Sequence, residues 1–427
     1  MYSPLSSSTW WTRRLMLVCR KWCQLVSSTP SLWRFFGLSL NDPKEHVIGR
    51  LKKFSSLIKC GQVELYLYDM HLYQSCPENL HLIEDCASRK ETITTIMDSL
   101  PRLRKLFVSF ESNPAHMNDL TGCWSQAPNI YELVYSIGSW KESLFTMDFP
   151  LEYHVRDLPN LSSLSLDNAG NVAVSPPGTH PLLPNLTTLT LGSAGAPLTA
   201  YQLTTLLSHC PRLQRLTCTS YHFVEGDHHS LKSFKLRYLT SIEVGRDYLL
   251  KIFSSYIETP VLRSLIIEGH SELWTPEFAR KNCGIEYLRL SRQYRHGYPG
   301  ILTHLTKLTK FSLRIHGPGL SLRPLYTTPD ILCAESLQHL EIRIWRDELH
   351  TEYFEGLVQA RFLRANKEGY TAAGCKAMQE LVLEVRHPDM ALKQVRQSAL
   401  WKKAKIIQRD PSIFILRWDF EDTAEVC

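Results

Sequence analysis

The sequence predicts an α/β fold built as a solenoid, in which repeated strand-and-helix units stack side by side. Three observations favour this class. An apolar motif recurs eleven times along the 427 residues at nearly constant spacing. The centre of each motif alternates between apolar and other residues as a strand does, and several stretches between motifs have helical spacing. The chain is also longer than one ordinary compact core.

The motif is L-x-x-L-x-L with other apolar residues allowed, which is typical of leucine-rich repeats. Its first positions are 23 to 31 residues apart in nine of ten steps, and 41 apart in the last. Its apolar positions are Leu103/Leu106/Val108, Ile130/Leu133/Tyr135, Leu161/Leu164/Leu166, Leu186/Leu189/Leu191, Leu213/Leu216/Cys218, Leu239/Ile242/Val244, Leu262/Leu265/Ile267, Ile285/Leu288/Leu290, Leu308/Phe311/Leu313, Leu337/Leu340/Ile342 and Met378/Leu381/Leu383.

The stretches between motifs supply helices. Thr199 and Gln202 fit a capping box, and an apolar stripe follows until Pro211 ends the helix. One strand and one helix cannot bury their apolar faces alone, so stacked units would share a core. We expect parallel strands on a concave face and helices outside. An ordinary α/β domain with leucine-rich strands is the alternative.

The composition is that of a folded protein with a mild basic excess. The chain is 44% hydrophobic and 21% charged, and its formal net charge is +6. Nucleic-acid binding needs clustered basic residues, and no stretch approaches the roughly 20 apolar residues of a membrane span. We therefore expect neither nucleic acid nor a membrane as a partner. The 12 scattered cysteines and the lack of a signal-peptide pattern predict a reducing compartment, cytoplasmic or nuclear.

No motif in the sequence predicts catalysis. There is no Walker-type phosphate loop and no H-E-x-x-H, and we expect no enzyme activity, no metal site and no cofactor. A hydrolase whose site is assembled only by folding is a minor alternative.

The N-terminal segment differs from the repeats. Leu15, Val18, Cys19 and Trp22 fall at helical spacing, and a turn that ends in Leu32 and Trp33 follows them. From the residues alone, an amphipathic helix that caps the first repeat explains this pattern.

The same segment resembles the second half of an F-box, in Leu17-Val-Cys-Arg-Lys-Trp22 and Ser28-Thr-Pro-Ser-Leu-Trp33. An F-box ahead of irregular leucine-rich repeats is similar to the F-box proteins of mushroom-forming, basidiomycete-type fungi. The resemblance implies a non-catalytic substrate receptor of a cullin-RING (SCF-type) ubiquitin ligase. The F-box would bind a Skp-type adaptor protein, and the repeats would hold an unknown protein substrate. Residues Met1 to Trp11 do not match the family's first F-box helix, so the F-box would be partial.

The alternative function is a repeat-mediated interaction scaffold unconnected to a ubiquitin ligase. Under either function, the predicted organisation has four segments. These are partial F-box helices over 1–40, a linker helix over 41–62, the irregular leucine-rich-repeat solenoid over 63–388, and a C-terminal helix, strand and tail over 389–427. The C-terminal helix is expected over Asp389–Arg409 and the strand over Ile413–Trp418.

Two sets of binding residues follow. The resemblance implies that the adaptor contacts Leu15, Val18, Cys19, Trp22, Leu32 and Trp33. In each strand, the residue between the inward leucines points to the opposite, concave face. The substrate is therefore expected to contact Tyr66, Tyr68, Phe107, Arg289, Arg314, Glu341 and Arg343. The alternative is that the late charges only pair with one another, as Glu268 with Arg289 and Glu341 with Arg314.

Overall fold

A computed structural model describes much of the chain in two compact units. The described residues are 18–40, 42–58, 62–69, 86–110, 123–137, 148–167, 171–174, 181–192, 198–219, 223–224, 233–245, 248–268, 276–291, 302, 304–315, 336–344, 380–386, 405–410 and 413–419. Unit 1 spans Met1–Leu213 and Ser220–Leu231, and unit 2 spans Gln214–Thr219 and Lys232–Cys427. Among the described residues, no helix is both long and apolar enough to cross a membrane.

Unit 1 is built on parallel strands that pair in their sequence order. They are β1 (Phe35–Ser39), β2 (Val63–Asp69), β3 (Leu103–Phe110), β4 (Glu132–Ile137), β6 (Ser163–Asp167) and β8 (Thr188–Leu191). Shorter parallel pairs join β5 (Asp148–Pro150) to β7 (Asn171–Ala173), and β9 (Leu198–Thr199) to β11 (Phe223–Val224). The helices are α1 (Arg20–Ser28), α2 (Lys44–Leu57), α3 (Cys86–Ser99), α4 (Leu151–Val155) and α5 (Ala200–Ser208), with 3-10 turns at Pro30–Trp33 and Cys123–Gln126.

Unit 2 continues the same plan. Its parallel strands are β10 (Arg215–Cys218), β13 (Ser241–Val244), β15 (Ser264–Ile267), β16 (Tyr287–Ser291), β17 (Lys310–Ile315), β18 (His339–Ile344) and β19 (Glu380–Arg386). A small pair joins β12 (Phe234–Lys235) to β14 (Ile257–Glu258), and the helices are α6 (Tyr248–Tyr256) and α7 (Pro276–Lys281). The α/β class and the parallel pairing of the repeats are therefore confirmed within each unit.

The C-terminal strands reverse direction. The strand predicted at Ile413–Trp418 is present as β21 (Ile413–Asp419), but it pairs antiparallel with β19. The end of the predicted helix Asp389–Arg409 is wrong, because β20 (Lys405–Asp410) forms there and pairs antiparallel with β21. The two residues between β20 and β21 are too few for the crossover that parallel strands need.

The strand register places the motif leucines in two apolar rows. In unit 1, Leu164 lies opposite Leu133 and Leu189, and Leu166 lies opposite Tyr135 and Leu191. In unit 2, the same pairing joins Leu265 to Leu288 and Ile267 to Leu290. Every described residue at the three motif positions is at most 3% exposed. The apolar positions of the eleven motifs therefore form core rows in the unit to which each motif belongs. Met378 lies outside the described residues.

The first repeat begins earlier than the predicted boundary at residue 63. Trp33, Phe36 and Leu38 have the motif spacing with aromatic residues in two positions, and β1 pairs in register with β2. Helix α2 lies between these strands in sequence, and the ring of Phe54 stacks on Phe36 with centroids 3.8 Å apart. The helix predicted within 41–62 is present as α2, but it belongs to the first repeat. The segment over 1–40 is not all-helical, because Phe36 and Leu38 alternate inward on β1 as in later repeats.

The helix predicted after Thr199 is confirmed as α5, together with its capping box. The hydroxyl of Thr199 accepts a hydrogen bond from the Gln202 amide at 3.1 Å, and the Gln202 side chain accepts one from the Thr199 amide at 2.9 Å. A helix in every repeat is not confirmed. Between β3 and β4, the described residues contain a 3-10 turn at Cys123–Gln126 instead.

Asparagine side chains link successive repeats of unit 1. The amides of Asn129, Asn160 and Asn185 donate to carbonyl oxygens of the preceding repeat, those of Pro101, Pro128 and Pro159, at 2.9–3.1 Å. Each asparagine directly follows a proline and precedes the first motif position. This ladder does not use the position after the third leucine, where the leucine-rich-repeat consensus has an asparagine.

Two glycines provide a matched test of the backbone packing. A Cβ at Gly245 would overlap the backbone carbonyl of Thr219, whereas nothing lies within 4 Å of a Cβ at Gly49 on helix α2. We expect Gly245→Ala to destabilise the protein by about 1–3 kcal/mol because the backbone must shift. Gly49→Ala should stabilise it by about 0.5–1 kcal/mol because alanine favours a helix interior. Urea titrations followed by circular dichroism measure both, and equal effects would contradict this packing.

The buried His154 predicts acid sensitivity. Its side chain is fully buried beside the ring of Tyr135, and burial lowers the pKa of His154 from 6.5 to about 4. Between these values the unfolded chain binds a proton that the folded chain does not, so stability falls as the pH falls. This group should remove about 2 kcal/mol of stability between pH 7 and pH 5. Urea titrations of His154→Leu should lack that loss; an unchanged pH dependence would show that His154 does not cause it.

Candidate functional site

The N-terminal segment leaves several large apolar side chains exposed to solvent. Val18, Trp22, Leu25, Leu32 and Phe35 are between 38% and 63% exposed, and we call them the N-terminal apolar surface. Trp22 and Leu25 are three residues apart on α1, so they lie on one side of the helix. Large apolar side chains that cluster in solvent often mark a site of protein contact.

Trp33 anchors this segment and does not lie on its surface. Its side chain is 7% exposed, and its indole N–H donates to the carbonyl of Val26, which is buried, at 2.8 Å. Trp33 therefore fixes α1 against the turn that leads into β1. The prediction placed Trp33 in the adaptor contact. In the structure its side chain is buried instead, because Trp33 occupies the first motif position of an additional repeat.

The other predicted adaptor residues are placed as follows. Val18, Trp22 and Leu32 are exposed, as a contact would require. Cys19 is exposed but has extended backbone angles, so α1 begins only at Arg20 and Val18 precedes it. Leu15 lies outside the described residues.

Aromatic rings lie together on the strand face of unit 1, the side opposite the buried leucines. Tyr66 is stacked with Tyr68 at a centroid distance of 5.6 Å and meets the edge of Phe107 at 6.4 Å. We call these three residues the aromatic face. Gly37 lies in register with Tyr66, and its missing side chain leaves a hollow that is lined by Phe35, Gly37, Glu64, Tyr66 and Phe107, among others.

Ion pairs border the aromatic face along the neighbouring row of the sheet. The carboxylate of Glu64 is buried and pairs with Arg34. Lys105 pairs with Glu132 at 2.7 Å, and the hydrogen bond to this carboxylate raises the pKa of Lys105. These bordering charges therefore neutralise one another in pairs.

The strand face of unit 2 is charged. Seven of its acidic and basic side chains are Glu243, Glu268, Arg289, Arg314, Glu341, Arg343 and Glu384, which we call the charged face. Arg289 lies 2.6 Å from Glu268 and 3.6 Å from Glu243. The predicted pairing of Glu268 with Arg289 is therefore confirmed.

Arg343 is the second centre of ion pairing on the charged face. It lies 2.6 Å from Glu341 and 3.3 Å from Glu384. Burial raises the pKa of Glu341, but the hydrogen bond from Arg343 outweighs burial and holds this pKa below its ordinary value. Glu341 therefore pairs with Arg343 on its own strand, and no ion pair within 4 Å joins it to Arg314 among the described residues.

Arg314 is the least neutralised cation of the charged face. Among the described residues, its one ion pair is a 3.7 Å contact with Glu268, which already binds Arg289 more closely. Arg314 also lies directly opposite Arg343 in the strand register. Burial, and then the neighbouring cations Arg289 and Arg343, lower the pKa of Arg314.

Sequence reasoning missed several residues of these surfaces. Leu25 and Phe35 belong to the N-terminal apolar surface, and Gly37 opens the hollow beside Tyr66. The motif spacing of Trp33, Phe36 and Leu38 was the signal that could have placed Phe35 and Gly37 on a strand. Among the described residues, no group of three or more histidine, cysteine or acidic side chains could hold a metal ion.

Comparison with known proteins adds a distant structural likeness. No protein-family model matches the chain, and no curated protein is similar to it in sequence. Among solved structures, the TLR13 chain of a TLR13–ssRNA13 complex aligns with 74% of this chain at 16% identity and a TM-score of 0.40. The alignment covers 41% of that protein, so this chain spans about two fifths of its length.

Proposed function

We propose that the chain is a substrate receptor of an SCF-type ubiquitin ligase. The N-terminal apolar surface would bind a Skp-type adaptor, and the strand faces of the leucine-rich repeats would hold a protein substrate. The observation that carries this proposal is the exposure of Val18, Trp22 and Leu32 within the segment that resembles an F-box. The proposal assigns no chemistry to this chain.

The exposed residues are suited to binding because much of their apolar surface lies in solvent. Val26 and Trp33 attach α1 to the first repeat through buried contacts. Trp22, Leu25 and Leu32 are 43%, 54% and 42% exposed, which leaves apolar area available to a partner. Burying such aromatic and aliphatic side chains in a partner is the usual source of binding energy in protein interfaces.

A repeat-mediated scaffold without a ligase is the second candidate. It is favoured by the position of Trp33, which belongs to the first repeat as well as to the F-box-like motif. In that case α1 would only cap the end of the repeats. Adaptor binding separates the two functions, because a cap has no reason to bind a Skp-type adaptor.

The adaptor contact can be tested with the purified chain and a purified basidiomycete Skp-type adaptor. We expect Trp22→Ser with Leu32→Ser to weaken binding at least about tenfold, or 1.4 kcal/mol, as measured by calorimetry. Tyr238→Ser, which changes an exposed aromatic residue in unit 2, is the matched control and should bind normally. Circular dichroism checks that each variant is folded. A wild-type chain that does not bind, or a double variant that binds normally, would rule out this docking surface.

The substrate face can be tested by photo-crosslinking in cells. A photoreactive phenylalanine analogue replaces Tyr66 on the aromatic face or, as a control, the exposed Tyr201 on helix α5. Both changes exchange one aromatic residue for another, so the fold should tolerate them. We expect ubiquitin-modified adducts from position 66 and none from position 201. Equal adducts from both positions, or none from position 66, would contradict substrate binding at the aromatic face.

A further inference from the structure

Cations outnumber carboxylates on the three middle strands of the unit 2 strand face, although Arg289 and Arg343 pair with carboxylates of neighbouring strands. On the strand face of β16–β18, the described residues include four cations and one carboxylate. The cations are Arg289, Lys310, Arg314 and Arg343, and the carboxylate is Glu341. Lys310 lies over the ring of Tyr287 at 5.6 Å. The carboxylates Glu268 and Glu384 lie on either side of this region.

Hydrogen-bond donors in this region lack acceptors. The Nε–H groups of Arg289 and Arg314 are buried, and neither has a hydrogen-bond acceptor among the described residues. A buried donor without an acceptor is costly, especially on a charged group. Arg314 also lies opposite the like-charged Arg343, an arrangement that destabilises adjacent strands. An anion bound at Arg314 would offset the repulsion between Arg314 and Arg343.

The charges around Arg314 follow a fixed order across the sheet. One register row starts at Glu268, which directly follows β15, and runs through Ser291, Arg314 and Arg343 to Glu384 on β19. The row therefore has cations at its centre and a carboxylate at each end. We call it the Arg314 row. Four strand spacings separate its ends, which is a distance of about 19 Å.

We propose that the Arg314 row binds an extended peptide segment of a protein partner, with acidic residues at the centre of the segment and basic residues at its ends. The central carboxylates would pair with Arg314, and the flanking cations would meet Glu268 and Glu384. Basic residues six positions apart in an extended segment are about 20 Å apart, which matches the length of the row. This inference rests on the proposed use of the strand faces for a protein substrate.

The same charge order disfavours a nucleic acid. A phosphate backbone carries a negative charge at every nucleotide, and its binding needs a continuous basic stripe. Here Glu268 and Glu384 would repel the phosphates on both sides of Arg314. A short acidic centre fits between these carboxylates, whereas a longer polyanion meets them.

Two isomeric peptides test the proposed charge order. The probe is a fluorescently labelled Lys-Ala-Glu-Ala-Glu-Ala-Lys peptide, and its control is Glu-Ala-Lys-Ala-Lys-Ala-Glu. The peptides have the same composition and net charge, so only the order of charges differs. We expect the probe to bind the full chain at least about tenfold more tightly at low salt, as measured by fluorescence anisotropy. Equal affinities would overturn the proposal.

Variants of the chain then test the role of Arg314. Arg314→Gln should abolish the preference for the probe, whereas Arg237→Gln, which removes an exposed arginine in the turn before β13, should keep it. If Arg314→Gln does not fold, Glu268→Gln provides the test and should reduce the preference by weakening the lysine contact. If Arg314→Gln folds and still prefers the probe, the proposal is overturned. If Glu268→Gln has to provide the test, an undiminished preference in that variant overturns it.

Binding of a nucleic acid is measured in the same experiment. A short oligouridylate that binds more tightly than the peptide, and that loses binding in Arg314→Gln, would overturn the acidic-peptide proposal in favour of RNA. Adaptor binding is measured separately at the N-terminal apolar surface. If the chain binds the adaptor but not the probe, the proposal for the Arg314 row is overturned, whereas the proposed receptor function is not.

Discussion

The in-register pairing of parallel strands is the constraint on which each unit depends. Because equivalent residues lie opposite one another, each apolar motif position packs against its counterpart in the next strand. Leu164 against Leu189 and Leu265 against Leu288 are examples. A shift of one residue would turn every leucine to solvent and every polar residue to the core. The apolar rows therefore fix the register, and the register in turn fixes which residues share the strand face.

The same constraint creates the candidate binding surfaces. Side chains between the buried positions are forced into rows about 4.8 Å apart, whether or not their charges and shapes suit one another. On unit 1 this places Tyr66 beside Phe107. On unit 2 it places Arg314 opposite Arg343, which is an unfavourable pairing for stability. Such a pairing is consistent with a surface used for binding, since an anionic partner would neutralise it.

The N-terminal segment combines a structural role with exposed apolar surface. Trp33 and Val26 hold α1 to the first repeat, while Trp22 and Leu32 stay partly exposed. A cap needs only the buried half of this arrangement. The exposed half is what the proposed adaptor contact would use.

The sequence by itself determined the repeated strands, because the spacing of apolar residues reports burial directly. It also located the capping box at Thr199 and the last strand at Ile413. Only the tertiary structure decided the rest. Aromatic residues in place of leucine hid the first strand, and the short connection between β20 and β21 imposed an antiparallel pair where the sequence suggested a helix. The partner of Glu341 and the weak neutralisation of Arg314 depended on distances between side chains, which a single sequence does not contain.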